Sequence, residues 1–495
     1  MAEKELKESK LSHLKKLEEL GINAFPYSFK KTHSAKQLHE EFDSKIKENE
    51  YTKTKTNIAG RILGKREFGK LNFLDVVDET GKIQASIRKG DVSDKDFALF
   101  KLLDRGDFIG IKGTLFKTQK NELTVLASSL EILGKSIAVL PEKWHGLQDI
   151  ETRYRQRHLD LIMNQEVKET FLKRAKIIDS VREFMKARGF LEVDTPILQD
   201  VASGAQARPF ITHHNELDVN LFLRIALELH LKRLIIGGYE KVFEIGRNFR
   251  NEGFSKKHNP EFTMMESYEA YSDYNDVMKM TEELFEFVSK KVLGTTKIEY
   301  DGNKIDLKAP FKRLTMIGAL REHTKVDFDK IKTAKEALET ARKHKVEVNE
   351  SMSKGEIMFA MFDELVESKL VQPTFILDYP IEICPLTKSK RGNPELTERF
   401  ELFISGMEFA NAYSELTNPI EQKERFNFQA KQKNQGTKEI METDDEFVQA
   451  MEYGMPPTGG LGVGIDRMVM LLTDSHTIKD IIFFPQMRPE KGEKK

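Results

Sequence analysis

The chain has 495 residues, 32% of them charged and 39% hydrophobic, with a formal net charge of -1. That length carries two or more domains with separate cores, and the charge balance excludes a polybasic nucleic-acid coat or an acidic tail. The single cysteine, Cys384, excludes intrachain disulfides; with no apolar run near the roughly 20 residues of a membrane span and no signal-peptide core, a cytoplasmic protein without a membrane partner is expected.

Residues 1–56 are expected to form a charged helical extension. Leu6, Leu11, Leu14, Leu17 and Leu20 recur at near-helical spacing, and Gly21 is placed to end the helix. From 57 to 135, short alternating segments broken by Gly, Asp and Asn predict five strands, which fits a small Greek-key barrel of the OB type. Such barrels bind unpaired nucleotides across a strand face and stack bases on aromatics. Arg66, Phe73, Gln84 and Glu122 offer that chemistry, with Arg and Gln for base edges and Phe for the stack. Periodicity alone equally allows Phe73 a place in the core. Residues 136–165, which hold Trp144, Arg153, Arg155 and Arg157, read as a linker.

A second domain is expected over 166–495. Its first long helix, from about Glu166 to Arg188, ends at Gly189; the strand that follows is broken at Pro196, as suits a sheet edge open to a second copy. RIALELHLKRL sets Glu228 near a helix start. From Phe243 to Tyr268 the pattern is a long-looped antiparallel hairpin at period two. Glu244, Asn248, Arg250 and Glu252 share a face of the first strand, and Phe262, Met264, Glu266 and Tyr268 share one on the second. Guanidinium donors suit a polyphosphate, and Phe262 offers a surface to a base.

Residues 315–372 read as a helical, charged insertion, and MSKG at Met352 reads as an ordinary helix start. RFELFISGMEFANAYSEL then folds as a hairpin about Ser405 and Gly406. In it Phe403 faces Glu408, and Glu401 shares a face with Glu408, two carboxylates suited to Mg²⁺ beside a nucleotide. Strict alternation turns Asn411 and Glu415 to the other face unless the strand bulges. The glycine-rich GMPPTGGLGVGIDR satisfies neither a P-loop nor a Rossmann fingerprint. A strand of small residues entering a helix near Asp466 lets a flat ligand lie against backbone and aims Arg467 at its terminal phosphate.

In order, the helix and strand ending at Pro196, the FRNE hairpin with Phe262, and GLGVGIDR resemble motifs 1, 2 and 3 of class II aminoacyl-tRNA synthetases. The barrel narrows the resemblance to the lysyl, aspartyl and asparaginyl subgroup. SGAQARPF, FRNEG, KHNPEFTMMESY, ERFELF, NAYSEL and PPTGGLGVGIDR together are similar to the lysyl-tRNA synthetase family, over about 57–489. The resemblance implies an α+β protein: an OB-type five-stranded barrel, then a class II catalytic domain built on an antiparallel sheet flanked by helices. It implies an enzyme that joins lysine to tRNA(Lys) with ATP and Mg²⁺, as a homodimer through the motif 1 region.

Residue by residue, the resemblance makes Arg250 and Arg467 the catalytic arginines, on the α-phosphate with the lysine carboxylate and on the γ-phosphate. It assigns Glu252, His258 and Asn259 to ATP, Phe262 to adenine, and Glu401 and Glu408 to magnesium. Glu228, Arg250, Glu266, Tyr268, Asn411 and Glu415 correspond to the lysine pocket, and Arg66, Phe73, Gln84 and Glu122 to anticodon contacts. The three acidic residues support that amino acid independently, because a buried ammonium needs acceptors and opposite charge. An aspartate pocket would need a cation there. Four positions depart from many relatives: Lys257 for arginine, Leu227 for proline, His230 for tyrosine, and Gly459 for an alanine expected beside the amino-acid pocket.

Overall fold

The computed structural model describes residues 2–141, 147–205, 207–433 and 444–490, so Trp144 lies outside the described residues. The chain divides into two compact units, residues 1–146 and 147–495. In the first, β1 (Tyr51–Phe68), β2 (Leu71–Val77), β3 (Lys82–Arg88), β4 (Phe108–Lys117) and β5 (Leu123–Gly134) close into a barrel in the order β1-β2-β3-β5-β4. Alternation is the cause: Ile58, Ile62, Leu74, Val76, Ile83, Ile111 and Val125 turn into one core, while on β2 the residues between them stay half-exposed.

The first 56 residues are not a separate extension. α1 (Ala2–Glu19) buries Leu17 in the barrel core, where Ala24, Ala35, Leu38 and Ile46 join it. α2 (Ala35–Phe42) starts with a reciprocal capping box between Ser34 and Gln37, and α3 (Asp94–Leu102) adds Leu99 and Phe100 to the same core. Polar ties hold the same packing: Lys10 Nζ donates to the carbonyls of Arg105 at 2.9 Å and Ala138 at 2.8 Å, and His13 Nδ1 lies 2.9 Å from Asp104. The physical reason is that a helix of this length is marginal alone and gains its stability by burying an apolar stripe.

The expected linker is divided too. Residues up to Gly146 belong to the first unit, while Ile150–Arg155 and Arg157–Met163 are short helices of the second. Arg157 is buried there, 2.5 Å from Asp160, and donates to the carbonyls of Lys479 and Phe483. A buried cation with its donors so engaged is structural.

The second unit is built on an eight-stranded sheet: β6 (Leu191–Glu192), β7 (Lys241–Phe249), β8 (Glu261–Ala270), β9 (Lys312–Thr315), β10 (Thr374–Leu377), β11 (Arg399–Ile404), β12 (Met407–Ser414) and β13 (Thr458–Gly464). Their order is β9-β10-β11-β12-β13-β8-β7-β6, antiparallel except at the two ends. α4 (Gln165–Ala187), α6 (Tyr274–Leu293) and α10 (Ile465–Thr473) cover one face, packing Ile177, Phe184, Leu284, Phe285 and Val469 on Phe400, Leu402 and Val463. The opposite face carries polar residues, α5 (Glu228–Ile236) and, at the β9–β10 end, Ile376 and Phe403 packed in a separate apolar cluster. β6 is the sheet edge, and Pro196 follows it, outside the strand.

α7 (Met316–Thr324), α8 (Ala334–Lys343) and α9 (Lys354–Leu365) run between β9 and β10 and share a core of Leu320, Ala337, Met358 and Phe362. α9 starts with a capping box at Ser353 and Glu356, an ordinary helix start.

Leu17→Ala is expected to destabilise the barrel unit by about 2–4 kcal/mol through the cavity it leaves, whereas Leu11→Ala, half-exposed on the same helix, is expected to stay within about 0.5 kcal/mol. Denaturant unfolding of the full chain measures both. Equal, negligible effects would mean that the helix does not belong to the barrel.

Candidate active site

Two cavities open on the polar face of the sheet. The inner one, about 230 Å³, is lined by Glu228, Arg250, Glu266, Tyr268, Asn411 and Gly460, among others. The outer, about 300 Å³, is lined by Arg250, Glu252, His258, Asn259, Phe262 and Arg467, with Glu408 and Gly464. Arg250, Met264, Asn411 and Gly462 border both. The hairpin register explains the placement: Glu244 pairs with Glu266 and Asn248 with Phe262, so Phe262, Met264, Glu266 and Tyr268 fall on one face of β8. Arg250 follows β7 directly, its backbone N–H donating to Pro260 O at 2.8 Å across the loop mouth, with its guanidinium 5.1 Å from the Phe262 ring.

In the outer cavity Arg467 Nη1 lies 3.1 Å from Glu408 Oε2, and Arg467 Nη2 lies 3.4 Å from His258 Nε2. His258 Nδ1 is 2.9 Å from Ser255 Oγ. A neutral ring with its proton on Nδ1 satisfies both contacts. Burial, then the positive charges of Arg467, Arg250 and Lys257, push the His258 pKa down and favour that form. Asn259 Nδ2 donates to Glu261 O, while its buried Oδ1 has no hydrogen-bond partner among the described residues. Such an orphan acceptor on a cavity wall is ready for a ligand donor.

The inner cavity ends in carboxylates. Tyr268 O–H donates to Glu266 Oε2 at 3.1 Å, and the Leu227 backbone N–H donates to Oε1 at 3.1 Å. Burial, then repulsion from Glu228, pushes Glu266 up to about 7. Glu415 does not line the cavity. It stands behind Gly460, where an added Cβ would fall 1.8 Å from Glu415 Oε1 and 2.7 Å from Tyr268 Cε1. Burial raises Glu415 to about 8 against the pull of Lys232. Lys232 is buried between Glu228 Oε1, 2.5 Å away, and Glu415 Oε2, which it touches. Its own pKa is raised: burial opposes the ammonium, but Glu228 and Glu415 outweigh burial. Beside burial, which raises the two carboxylates and opposes the ammonium, the charge of Glu228 raises all three groups alike.

A β-bulge brings Asn411 to the same face as Glu408. Phe403 pairs with Glu408 as the sequence predicts, but Leu402 pairs with Ala410 and Glu401 with Asn411. Phe409 and Ala410 both turn into the core, so the strand changes phase, and Glu401, Glu408, Asn411 and Tyr413 share the polar face. Strict alternation fails here because an extra residue sits on one strand. Glu401 Oε1 lies 2.5 Å from Arg399 Nη2, and Glu401 Oε2 accepts from Tyr379 O–H at 2.7 Å. Burial and Glu408 raise Glu401 to about 6 despite Arg399. Among the described residues, no group of three or more His, Cys, Asp or Glu side chains forms an all-protein metal cage. Glu408 borders the outer cavity and Glu401 stands on the same face without lining either cavity; such a pair of carboxylates fits Mg²⁺, which keeps water and substrate oxygens in its shell.

Two departures acquire physical meaning. Gly459 does not border the pocket: its Cβ would point at Val277 Cγ2, 2.6 Å away, because alternation puts it with Leu461 and Val463 on the core face. Leu227 supplies Glu266 with a backbone donor that proline lacks. Lys257 Nζ donates to Gly406 O at 3.0 Å, and His230 Nδ1 lies 3.3 Å from Gln199 Nε2. Sequence reasoning missed Lys232, Arg399, Tyr379 and Tyr413. Lys232 left a signal, the four-residue spacing from Glu228, but that spacing usually marks a solvated helix pair.

In the barrel, Arg66 pairs with Phe73 across β1 and β2, and its guanidinium lies 5.7 Å from that ring and 2.9 Å from Asp75. Phe73 is half-buried outside the barrel core, edge-on to the exposed Phe68. Gln84 is buried and accepts from Thr124 Oγ1 at 3.4 Å; Glu122 lies 3.1 Å from Lys82. Arg66, Phe73 and Gln84 therefore lie on neighbouring strands and Glu122 just before β5, with Gln84 the one buried member of the four.

Fold and site define a class II synthetase catalytic unit with a nucleic-acid-binding barrel. A family model for class II tRNA synthetases (D, K and N) matches residues 149–488, and one for the OB-fold nucleic acid binding domain matches residues 56–133. A lysine–tRNA ligase of Thermoanaerobacter pseudethanolicus is 52% identical over 478 residues, 96% of this chain and 94% of the relative. One from Carboxydothermus hydrogenoformans is 52% identical over 485 residues, 98% of each chain, and one from Clostridium novyi 51% over 490 residues, 98% of this chain and 95% of the relative. The chain belongs to the class II tRNA synthetases and, within them, to the lysine–tRNA ligase family.

Gly460→Ala is expected to destabilise the second unit by about 1–3 kcal/mol, because the methyl group overpacks against Glu415 and Tyr268. Thermal unfolding measures it; an unchanged transition would mean that Glu415 does not sit against residue 460.

Proposed function

We infer that the chain is a lysine–tRNA ligase that activates lysine with ATP and transfers it to tRNA(Lys). The observation that carries the reading is the pair of joined cavities, one ending in carboxylates and one walled by arginines and an aromatic ring, with Arg250 at their junction. A lysine substrate places its ammonium groups toward Glu228, Glu266, Tyr268, Asn411 and Glu415 and its carboxylate toward Arg250. ATP lies bent in the outer cavity, its adenine against Phe262, with Glu252, His258 and Asn259 as further contacts and Arg467 on the γ-phosphate. Neutral His258 accepts from Arg467 and so aims that guanidinium.

The carboxylate oxygen attacks the α-phosphorus, the α–β phosphoanhydride bond breaks, and lysyl-adenylate and pyrophosphate form. Arg250 offsets the charge gathered on the phosphoryl oxygens, and positioning by the two cavities supplies most of the rest. Glu401 and Glu408 would hold Mg²⁺, which supplies charge neutralisation to the phosphates when bound. A ribose hydroxyl of the 3′-terminal adenosine of tRNA then attacks the lysyl carbonyl and releases AMP. Arg66, Phe73, Gln84 and Glu122 meet the anticodon, and the edge at β6, with exposed Leu191, Ile197 and Leu198, supports a homodimer. Among the described residues no helix is long and apolar enough to cross a membrane.

Arg250→Ala is expected to lower lysine-dependent ATP–pyrophosphate exchange by at least about a thousandfold with folding intact; near-normal exchange would sink the assignment. Phe73→Ala is expected to raise the KM for tRNA in charging about tenfold, for a lost stack of about 1–3 kcal/mol, with exchange unchanged.

The pH dependence follows from Glu266 and Glu415, raised to about 7 and about 8 in the free pocket. A bound ammonium lowers both pKa values, so lysine binds by displacing protons. Affinity is therefore complete above about 8 and is lost as pH falls through 8 and 7. The KM for lysine is expected to rise at least about tenfold from pH 8.5 to 6.5 by this linkage, with the KM for ATP less affected; a flat lysine profile would contradict it.

A further inference from the structure

Lys232 belongs to neither cavity lining, yet it is the cation on which the amino-acid pocket closes. It projects from the turn of α5 that follows Glu228, at the spacing that puts the two side chains on one helix face. Its Nζ reaches Glu228 on its own helix and Glu415 just beyond β12. Two rings flank it, Tyr268 of β8 at 6.0 Å and Phe447 of the helix Asp445–Glu452 at 5.9 Å. The remaining titratable groups around this cluster are Glu266, Tyr268 and Tyr413. Glu415 Oε1 has no hydrogen-bond donor among the described residues. One oxygen of Glu415 is thus held by the resident ammonium, and the other packs behind Gly460 of the cavity wall.

The charges can be counted. Glu228, Glu266 and Glu415 carry three negative charges when ionised, and Lys232 cancels one. Two remain. A lysine substrate brings two ammonium groups, while its carboxylate is answered separately by Arg250. We propose that Lys232 is a positioning residue of the amino-acid pocket: its buried ammonium cancels one of three converging carboxylates and orients Glu228 and Glu415, leaving two negative charges to match a ligand with two ammonium groups. The inference rests on assigning the inner cavity to lysine. Without Lys232, the buried carboxylates take up protons or repel one another apart, because interior charge without a counter-charge is not retained.

The test uses the full chain in lysine-dependent ATP–pyrophosphate exchange, with the KM for ATP and thermal unfolding recorded for every variant. Glu415→Gln leaves the cluster one negative charge short and is expected to raise the KM for lysine about a hundredfold, with the KM for ATP within about threefold. Adding Lys232→Met restores the count of two. The double variant is expected to use lysine with a KM at least about tenfold below that of Glu415→Gln alone, because exchanging a buried charge pair for neutral groups is tolerated. A lysine that only fills space predicts the reverse, since a second loss would add to the first. A double variant that is no better than Glu415→Gln, or that fails to fold, overturns the proposal. So does a folded Lys232→Met variant whose KM for lysine stays within about threefold of the parent. Absence of lysine-dependent exchange by the unaltered chain would instead remove the assignment of the cavity itself.

Discussion

Taking a carboxylate out of water is tolerated only where a cation or a set of donors meets it. The second unit buries Glu228, Glu266, Glu401 and Glu415 around one face of one sheet. Each has its partners: Glu228 and Glu415 share Lys232 of α5, Glu266 has the Leu227 N–H and the Tyr268 hydroxyl, and Glu401 has Arg399 of β11 and Tyr379. Pairing of this kind locks helix to sheet and strand to strand, and it leaves little freedom in where the acidic oxygens point. The excess of negative charge that survives makes a pocket with a strong preference for cations, and burial magnifies that preference because charges interact more strongly away from bulk water.

The glycine-rich strand β13 provides the floor. It lies between β12 and β8, and its residues alternate: Leu461 and Val463 enter the hydrophobic core, while Gly460 and Gly462 border the inner cavity. Side chains on that row would occupy the space that Glu415 and a flat ligand require. The opposite row packs on α6, which is why Gly459 concerns the core and not the pocket. Adjacent glycines in one strand therefore serve different purposes, decided by the two-residue period of a pleated chain.

The β-bulge at Phe409 and Ala410 joins the two cavities into a single site. Without it, Glu408 and Asn411 would face opposite sides of the sheet, and the outer cavity would be separated from the inner. The bulge costs a regular ladder at one point and turns two consecutive residues into the core. Hydrophobic burial of Phe409 and Ala410 together offsets that loss, so the irregular strand is held in place from behind.

Local patterns in the sequence determined much of this. Period-two alternation yielded the barrel strands, the Phe243–Tyr268 hairpin and the pairing of Phe403 with Glu408. Helix periodicity with a terminal glycine yielded α4, and the ordered motifs yielded the family. These are nearest-neighbour properties of the chain, carried by a few residues each. Tertiary structure decided what depends on partners distant in sequence. It drew the first 56 residues into the barrel core, sent Gly459 to the buried face, shifted the phase of β12, and placed Lys232 between Glu228 and Glu415. The last case states the reason: the spacing from Glu228 to Lys232 is the same for a solvated helix pair and for a buried one. Only the packing of α5 against β8 and Glu415 removes the water that would otherwise make the pair inconsequential.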